Sequence, residues 1–216
     1  MELFFHHKAS PFVRKPLLAI AEFSIPIDER VIDMTASTAM DEYVSINPNR
    51  RFPALRDGGL VLWESNAILR YLAAKHGPGW LGRTAEAAAW VDQWLFWELG
   101  HLGPALLPLQ NLRLGFTPRP DREEAALLAD AVRSLSVLDG QLAAHPYVAG
   151  SDITIADLAI AALFSFADEA NLLPAGHPHV QRWLEALRSR PSWQSTERMK
   201  REALEAYGVK LPERSR

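Results

Sequence analysis

An α/β amino-terminal region followed by an all-α region is the fold class this sequence predicts, and three observations carry it. The strand-like runs Glu2-Leu3-Phe4-Phe5, Ala54-Leu55 after Pro53, and Leu60-Val61-Leu62 all lie in the first third of the chain. Strand signals stop after Gly77-Pro78-Gly79-Trp80-Leu81-Gly82, where the glycines and the proline break a helix. Beyond that point, apolar residues recur at helical spacing through several long segments. We expect a mixed-sheet domain over residues 1–77, a linker over 78–83 and a helical-bundle domain over 84–216. At 216 residues and 48% hydrophobic content, the chain has enough apolar material for two such cores.

Taken in order, Glu2–Phe5 reads as a short buried strand. A His6-His7-Lys8 loop follows, then a helix whose apolar face is Phe12, Leu17, Leu18, Ile20 and Ala21. Ser10 precedes Pro11 and is placed to cap that helix. A hydroxyl there can also donate to a thiolate, whose negative charge the helix dipole favours; the two roles are compatible. The His-His-Lys run reads as a solvated loop, with a general-base role as the alternative.

Pro53 opens the next strand, Asp57-Gly58-Gly59 turns it, and Leu60-Val61-Leu62 returns. A proline has no N–H to give to a neighbouring strand, so that edge is expected to stay unpaired. A cis Phe52-Pro53 bond would turn the Phe52 amide and carbonyl outward, where an extended ligand can pair with them. Glu64-Ser65 stand where a helix begins, with Ala67, Ile68, Leu69, Tyr71 and Leu72 on its apolar face. The free N–H groups of that helix favour a carboxylate, Ser65 can donate to it, and Glu64 can accept from an ammonium. Together they suit the head group of an amino acid.

The helical half is expected from Thr84 to about Leu102, Asp121 to about Ala144, Thr154 to about Ala167 and Pro178 to Leu187, with a last short helix near Ser192. Thr154 and Asp157 have the spacing of a capping box, a folding role rather than a catalytic one. Trp90, Trp94 and Trp97 share a helix face, expected to pack in the core or at a subunit contact, with the alternative that part of it lines an apolar pocket with Leu106, Leu109, Leu112 and Phe116. Trp97, His101 and Phe116 are the candidates for touching an apolar ligand, and Gly103-Pro104 is expected to interrupt the helix there.

Composition narrows the function. With no cysteine there is no disulfide, no cysteine-rich zinc site and no mixed disulfide between the protein and a thiol. We expect no metal. A net charge of −3, with basic residues interspersed among acidic ones, gives no footprint for nucleic acid. No amino-terminal signal segment or membrane span is expected, which suits a cytoplasmic protein. Lys200-Arg201-Glu202 and Glu213-Arg214-Ser215-Arg216 read as a solvated helix face and a frayed tail.

The Phe52-Pro53 loop followed by the Glu64-Ser65 pair resembles the glutathione-binding half of the cytosolic glutathione S-transferases, a thioredoxin-like domain. Ser10-Pro11-Phe12 resembles the first-helix motif of their serine-type bacterial members, theta/nu-like. The Thr154–Asp157 box resembles the capping motif of their helical domain. This resemblance implies that Phe52 and Pro53 pair with the cysteinyl part of glutathione and that Glu64 and Ser65 hold its γ-glutamyl end. It also implies that Arg51 lies near the glycyl carboxylate and that Ser10 faces the sulfur. The loop before Asn47 carries Thr35, Ser37 and Thr38 where members often have His, Lys or Gln, so the grip on the glycyl end is expected to be weaker or different.

The implied reaction is attack of a glutathione thiolate on a small hydrophobic electrophile, or on a peroxide, with glutathione as co-substrate and a homodimer as the assembly. A non-catalytic binder of glutathione or hydrophobic ligands, and a glutathione-dependent isomerase or dehalogenase, are the alternatives.

Overall fold

The computed structural model describes residues 1–117, 123–172 and 176–211. Strand β1 (Glu2–Phe5) is parallel to β2 (Asp28–Val31) and antiparallel to β3 (Ala54–Asp57), which pairs antiparallel with β4 (Leu60–Trp63). The resulting mixed sheet has the order β2-β1-β3-β4. A parallel pair needs a crossover, and helix α1 (Pro11–Glu22) supplies it. Helices α2 (Ser37–Val44) and α3 (Ser65–His76) complete this thioredoxin-like half.

Alternation along β1 divides the core. Leu3 and Phe5 join Leu55, Val13, Leu17, Leu18, Ile68 and Leu72 on one face, while Phe4 joins Ala54 and Tyr43 on the other.

Two expectations for this half need correction. β3 is not an edge strand, since β1 and β4 flank it; a ligand strand can reach only the segment before it, at Phe52-Pro53. The stretch before Asn47 is not simply a loop, because it contains β2 and α2. All four side chains of β2 are exposed, so its place depends on main-chain pairing with β1 and leaves no alternating apolar pattern to read.

The helical half comprises α4 (Ala85–Trp97), α5 (Gly103–Arg113), α6 (Glu124–Ala144), α7 (Ile155–Leu163), α8 (Pro178–Arg188) and α9 (Pro191–Ala206). A π turn, Glu98–Leu102, joins α4 to α5, so the break expected at Gly103-Pro104 comes earlier. A Cβ at Gly103 would stand 3.1 Å from the Glu98 carbonyl, so this junction has little room for a side chain. The expected helix start at Asp121 and the tail Glu213–Arg216 lie outside the described residues. The last helix, α9, spans 16 residues and so is not short, and Lys200 is buried rather than solvated. Its ammonium donates to the Ser165 carbonyl at 2.6 Å and pairs with Glu197 at 2.8 Å.

Every residue of α7 is buried, against α1, α3, α4 and α5. Its start is the capping box read in the sequence. Asp157 Oδ2 accepts from the Thr154 amide at 2.9 Å, and Oδ1 accepts from the Val148 amide at 3.0 Å and Trp183 Nε1 at 2.9 Å. Burial raises the Asp157 pKa against the pull of these donors. Replacing Asp157 by Ala strands four buried donors, the Thr154 hydroxyl at 3.1 Å being the fourth, each costing roughly 1–3 kcal/mol when unsatisfied. Chemical denaturation of Asp157→Ala should show a loss of about 3 kcal/mol or more.

Candidate functional site

Helix α1 anchors the site, and charged side chains fix its position. Arg14 is fully buried: its Nη1 donates to Glu197 at 2.8 Å, its Nε donates to the Thr196 hydroxyl at 3.2 Å, and its guanidinium stacks 4.0 Å from the Trp193 ring of α9. At the carboxyl end of α1, Glu22 accepts from Arg190 Nε at 2.6 Å and Nη2 at 2.7 Å. Lys15 points elsewhere. Its buried ammonium donates to Glu98 at 2.7 Å and to the Asn66 side-chain carbonyl at 2.9 Å, and Asn66 in turn donates to Glu98 at 3.0 Å. Burial pulls the Lys15 pKa down and Glu98 opposes it. This triad joins α1, α3 and the π turn, directly after Ser65.

Ser10 occupies the N-cap position of α1 with extended backbone, φ −63° and ψ 128°, yet its hydroxyl makes no capping bond. The sequence suggested capping as its ordinary role. Ser10 instead lines the space in front of the helix.

The Phe52-Pro53 peptide bond is cis, and the loop before it is held from behind. The Tyr43 hydroxyl and Asn47 Nδ2 each donate to the Arg51 carbonyl at 2.7 Å, and Tyr43 stacks on Phe52 with ring centroids 4.5 Å apart. Burial pushes the Tyr43 pKa up to about 12, so the phenol stays protonated and keeps donating. Across the gap, Glu64 sits at φ 73°, a left-handed conformation uncommon for a side-chain-bearing residue, and makes no side-chain cap to α3. Ser65 is buried beside it.

These segments meet around one cavity of about 510 Å³ whose walls include all six sequence candidates: Ser10, Arg51, Phe52, Pro53, Glu64 and Ser65. Asn47 and Arg50 also line it. The sequence reading did not single them out, and the only signal was the Asn-Pro-Asn-Arg-Arg run in which they stand.

A second cavity of about 520 Å³ shares His6, His7, Ser10 and Phe12 with the first. Its remaining wall is mostly apolar, from Leu107, Phe116, Phe166, Leu204 and Tyr207. Phe116 is therefore placed as expected, whereas Trp97 and His101 are not. Trp97 packs against Trp94 with ring centroids 4.9 Å apart, and His101 is exposed. Leu106 and Leu109 belong to the core, and Leu107 replaces them in the cavity wall.

Residues 9–75 match the family described as glutathione S-transferase, N-terminal domain, and residues 107–191 match glutathione S-transferase, C-terminal domain. The chain is 32% identical over 191 residues to glutathione S-transferase GstB of Escherichia coli strain K12, an alignment covering 83% of this chain and 89% of that one. The chain belongs to the glutathione S-transferase family. Family membership carries the enzyme class, a glutathione transferase, and its co-substrate, glutathione. The transferase is also 34% identical over 158 residues to the disulfide-bond oxidoreductase YfcG of the same bacterium, covering 70% of this chain and 73% of that one. A solved glutathione S-transferase-I bound with lactoylglutathione superposes with a TM-score of 0.83 at 27% identity, covering 92% of this chain and 98% of that one.

Among the described residues of the transferase, no group of three His, Asp or Glu side chains is placed to hold a metal, and no helix is long and apolar enough to cross a membrane. Because Lys15 and Glu98 are buried together, removing one charge leaves the other stranded. Lys15→Met should cost about 3–5 kcal/mol in denaturant unfolding, and the double variant Lys15→Met/Glu98→Leu should recover most of that loss.

Proposed function

We propose that the transferase binds glutathione in the first cavity and activates it as a thiolate that attacks a small hydrophobic electrophile held in the second. The observation that carries this reading is the position of Ser10. Its uncapped hydroxyl stands at a helix N-terminus on the wall common to both cavities. A free thiol has a pKa of about 8.5, and a hydroxyl donor together with the positive end of α1 favours the thiolate. Ser10 acts on the co-substrate and is not itself the nucleophile.

The remaining roles follow from charge. Glutathione carries two carboxylates and an ammonium. Glu64 suits the ammonium, Ser65 and the first amides of α3 suit the γ-glutamyl carboxylate, and Arg51 with Arg50 suits the glycyl carboxylate. The main chain at Phe52-Pro53 pairs with the cysteinyl part. In this reading residues 1–77 bind glutathione, 78–83 link, and 84–216 contribute the electrophile's pocket. Exposed Trp90, Phe96 and Leu99 on α4 and the π turn, with Val61 and Trp63 on β4, fit a homodimer.

A second reaction of the same thiolate is attack on a disulfide, releasing a thiol and leaving glutathione in a mixed disulfide. The likeness to a disulfide-bond oxidoreductase favours testing it. A second glutathione thiolate then attacks the mixed disulfide, releasing the other thiol and giving glutathione disulfide, so product analysis separates the two: a thioether conjugate supports transfer, and glutathione disulfide with two released thiols supports oxidoreduction.

Calorimetric titration with glutathione should show binding in the micromolar to millimolar range. In Ser10→Ala, turnover should fall roughly 10- to 100-fold with glutathione affinity nearly unchanged, the worth of one hydrogen bond to a charged group. Glu64→Ala should weaken glutathione binding about tenfold or more. Unchanged turnover in the first variant or unchanged affinity in the second removes that residue's assignment.

A further inference from the structure

Lowering a thiol's pKa leaves open where its proton goes. Ser10 donates a hydrogen bond and cannot accept a proton at neutral pH. The proton can pass to solvent or to the protein, and a protein acceptor must lie within reach of the sulfur, on the wall that the two cavities share. Apart from Ser10, the polar side chains common to both are His6 and His7.

The two histidines differ. His6 Nδ1 lies 3.1 Å from the Ile32 carbonyl oxygen. A carbonyl can only accept, so Nδ1 carries the hydrogen and Nε2 of the neutral ring carries a lone pair. The ring is bracketed by Phe52 of the cis-proline loop at 6.4 Å, Tyr207 following α9 at 5.3 Å and His7 at 5.1 Å between centroids. His7 has no such orienting bond, and its Nδ1 is buried without a partner.

We propose that His6 is the base that takes the thiol proton of bound glutathione on Nε2, leaving the thiolate beside Ser10. The S–H bond breaks with its electron pair on sulfur, and the proton bonds to Nε2, giving a thiolate–imidazolium pair. After the sulfur attacks, the imidazolium returns the proton to the leaving group or to solvent. This step rests on the thiolate reading given above.

The charges around His6 agree with it. Thiol and imidazole differ by about two units in ordinary pKa, a hundredfold against transfer unless the ion pair is stabilised. On the His6 side, Asp33 follows β2 and lies within electrostatic reach; the Thr35 hydroxyl and amide, with a smaller contribution from His6, hold its carboxyl below the usual range. On the sulfur side are the Ser10 hydroxyl and the start of α1. His7 does not compete, since burial first and His6 second hold it below the ordinary imidazole pKa. Tyr207 faces His6 as a ring and donates to the His6 main-chain carbonyl at 3.4 Å, leaving Nε2 free.

The test titrates the wild-type protein with reduced glutathione at neutral pH in buffers of different ionisation enthalpy, and reads the ultraviolet thiolate band of the complex. A thiolate band with its proton retained by the protein is the expected result, together with a His6 Hε1 resonance moved to its imidazolium position. A thiolate band with the proton released to buffer overturns the role of His6 and leaves thiolate activation standing. Binding without a thiolate band overturns both, and absence of binding overturns the glutathione site itself.

His6→Asn keeps a donor for the Ile32 carbonyl and removes the basic ring nitrogen. It should lose proton retention and lower kcat/KM roughly 10- to 100-fold at neutral pH, with the deficit narrowing as pH rises. The affinity for S-methylglutathione, which has no thiol proton, should stay within about threefold, the margin left by an undisturbed cavity. A pH profile identical to wild type counts against His6, and the histidine resonance decides the matter in the wild-type complex should the variant fail to fold.

Discussion

The ion pair between Lys15 and Glu98 is the constraint on which the rest of the site depends. Two charges at 2.7 Å in the protein interior attract strongly, but each has lost its water, so the pair adds little net stability over apolar side chains of similar size. What it adds is register. A helix rises 1.5 Å per residue, so a slip of one position in α1 or in the π turn would pull the two charges out of contact. Asn66 shares the same carboxylate, which ties the start of α3 to the same point. Ser10 at the head of α1 and Ser65 beside Asn66 are thereby held in fixed relation, though neither belongs to the triad.

The ligand-facing backbone is held with comparable firmness. Tyr43 and Asn47 converge on one carbonyl, Arg51, and Asn47 also accepts from the Asn49 amide at 3.0 Å, so the loop before Pro53 is fixed from its protein side. Glu64 keeps a backbone conformation that side chains seldom adopt, which places it opposite that loop. Order already built into the cavity wall by these bonds is entropy that the site does not have to lose on binding a flexible ligand.

Much of this was legible in the sequence, for physical reasons that differ between elements. The Pro53 and Glu64-Ser65 spacing located two sides of the first cavity, because a proline and a helix start are local features written in a few neighbouring residues, while Asn47 and Arg50 on the same wall carry no such signal. The Thr154–Asp157 box was legible for the same reason. Strand β2 was not, since its exposed Asp-Glu-Arg-Val side chains carry no alternation. The second cavity was half-read: Phe116 was recognised, but the stripe of Trp94 and Trp97 turned inward and against itself, and Leu107 took the place of its buried neighbours. Lys200, a charged residue in a charged run, gave no hint of burial, because two of the partners that make it tolerable, Ser165 and Glu169, lie on another part of the chain, and the third, Glu197 on its own helix, reads as an ordinary surface pair.

The wall common to the two cavities divides the molecule's freedom to change. Leu107, Phe116 and Tyr207 face only the second chamber, and they lie on or just beyond the ends of α5 and α9. Substitutions there can alter the size and shape of that chamber without touching the cis-proline loop or the start of α3. The short stretch from His6 to Phe12 has less liberty, because four of its side chains, His6, His7, Ser10 and Phe12, face both chambers at once. Divergence among descendants of this sequence is therefore expected to concentrate in the late helices and to spare the first turn of the chain.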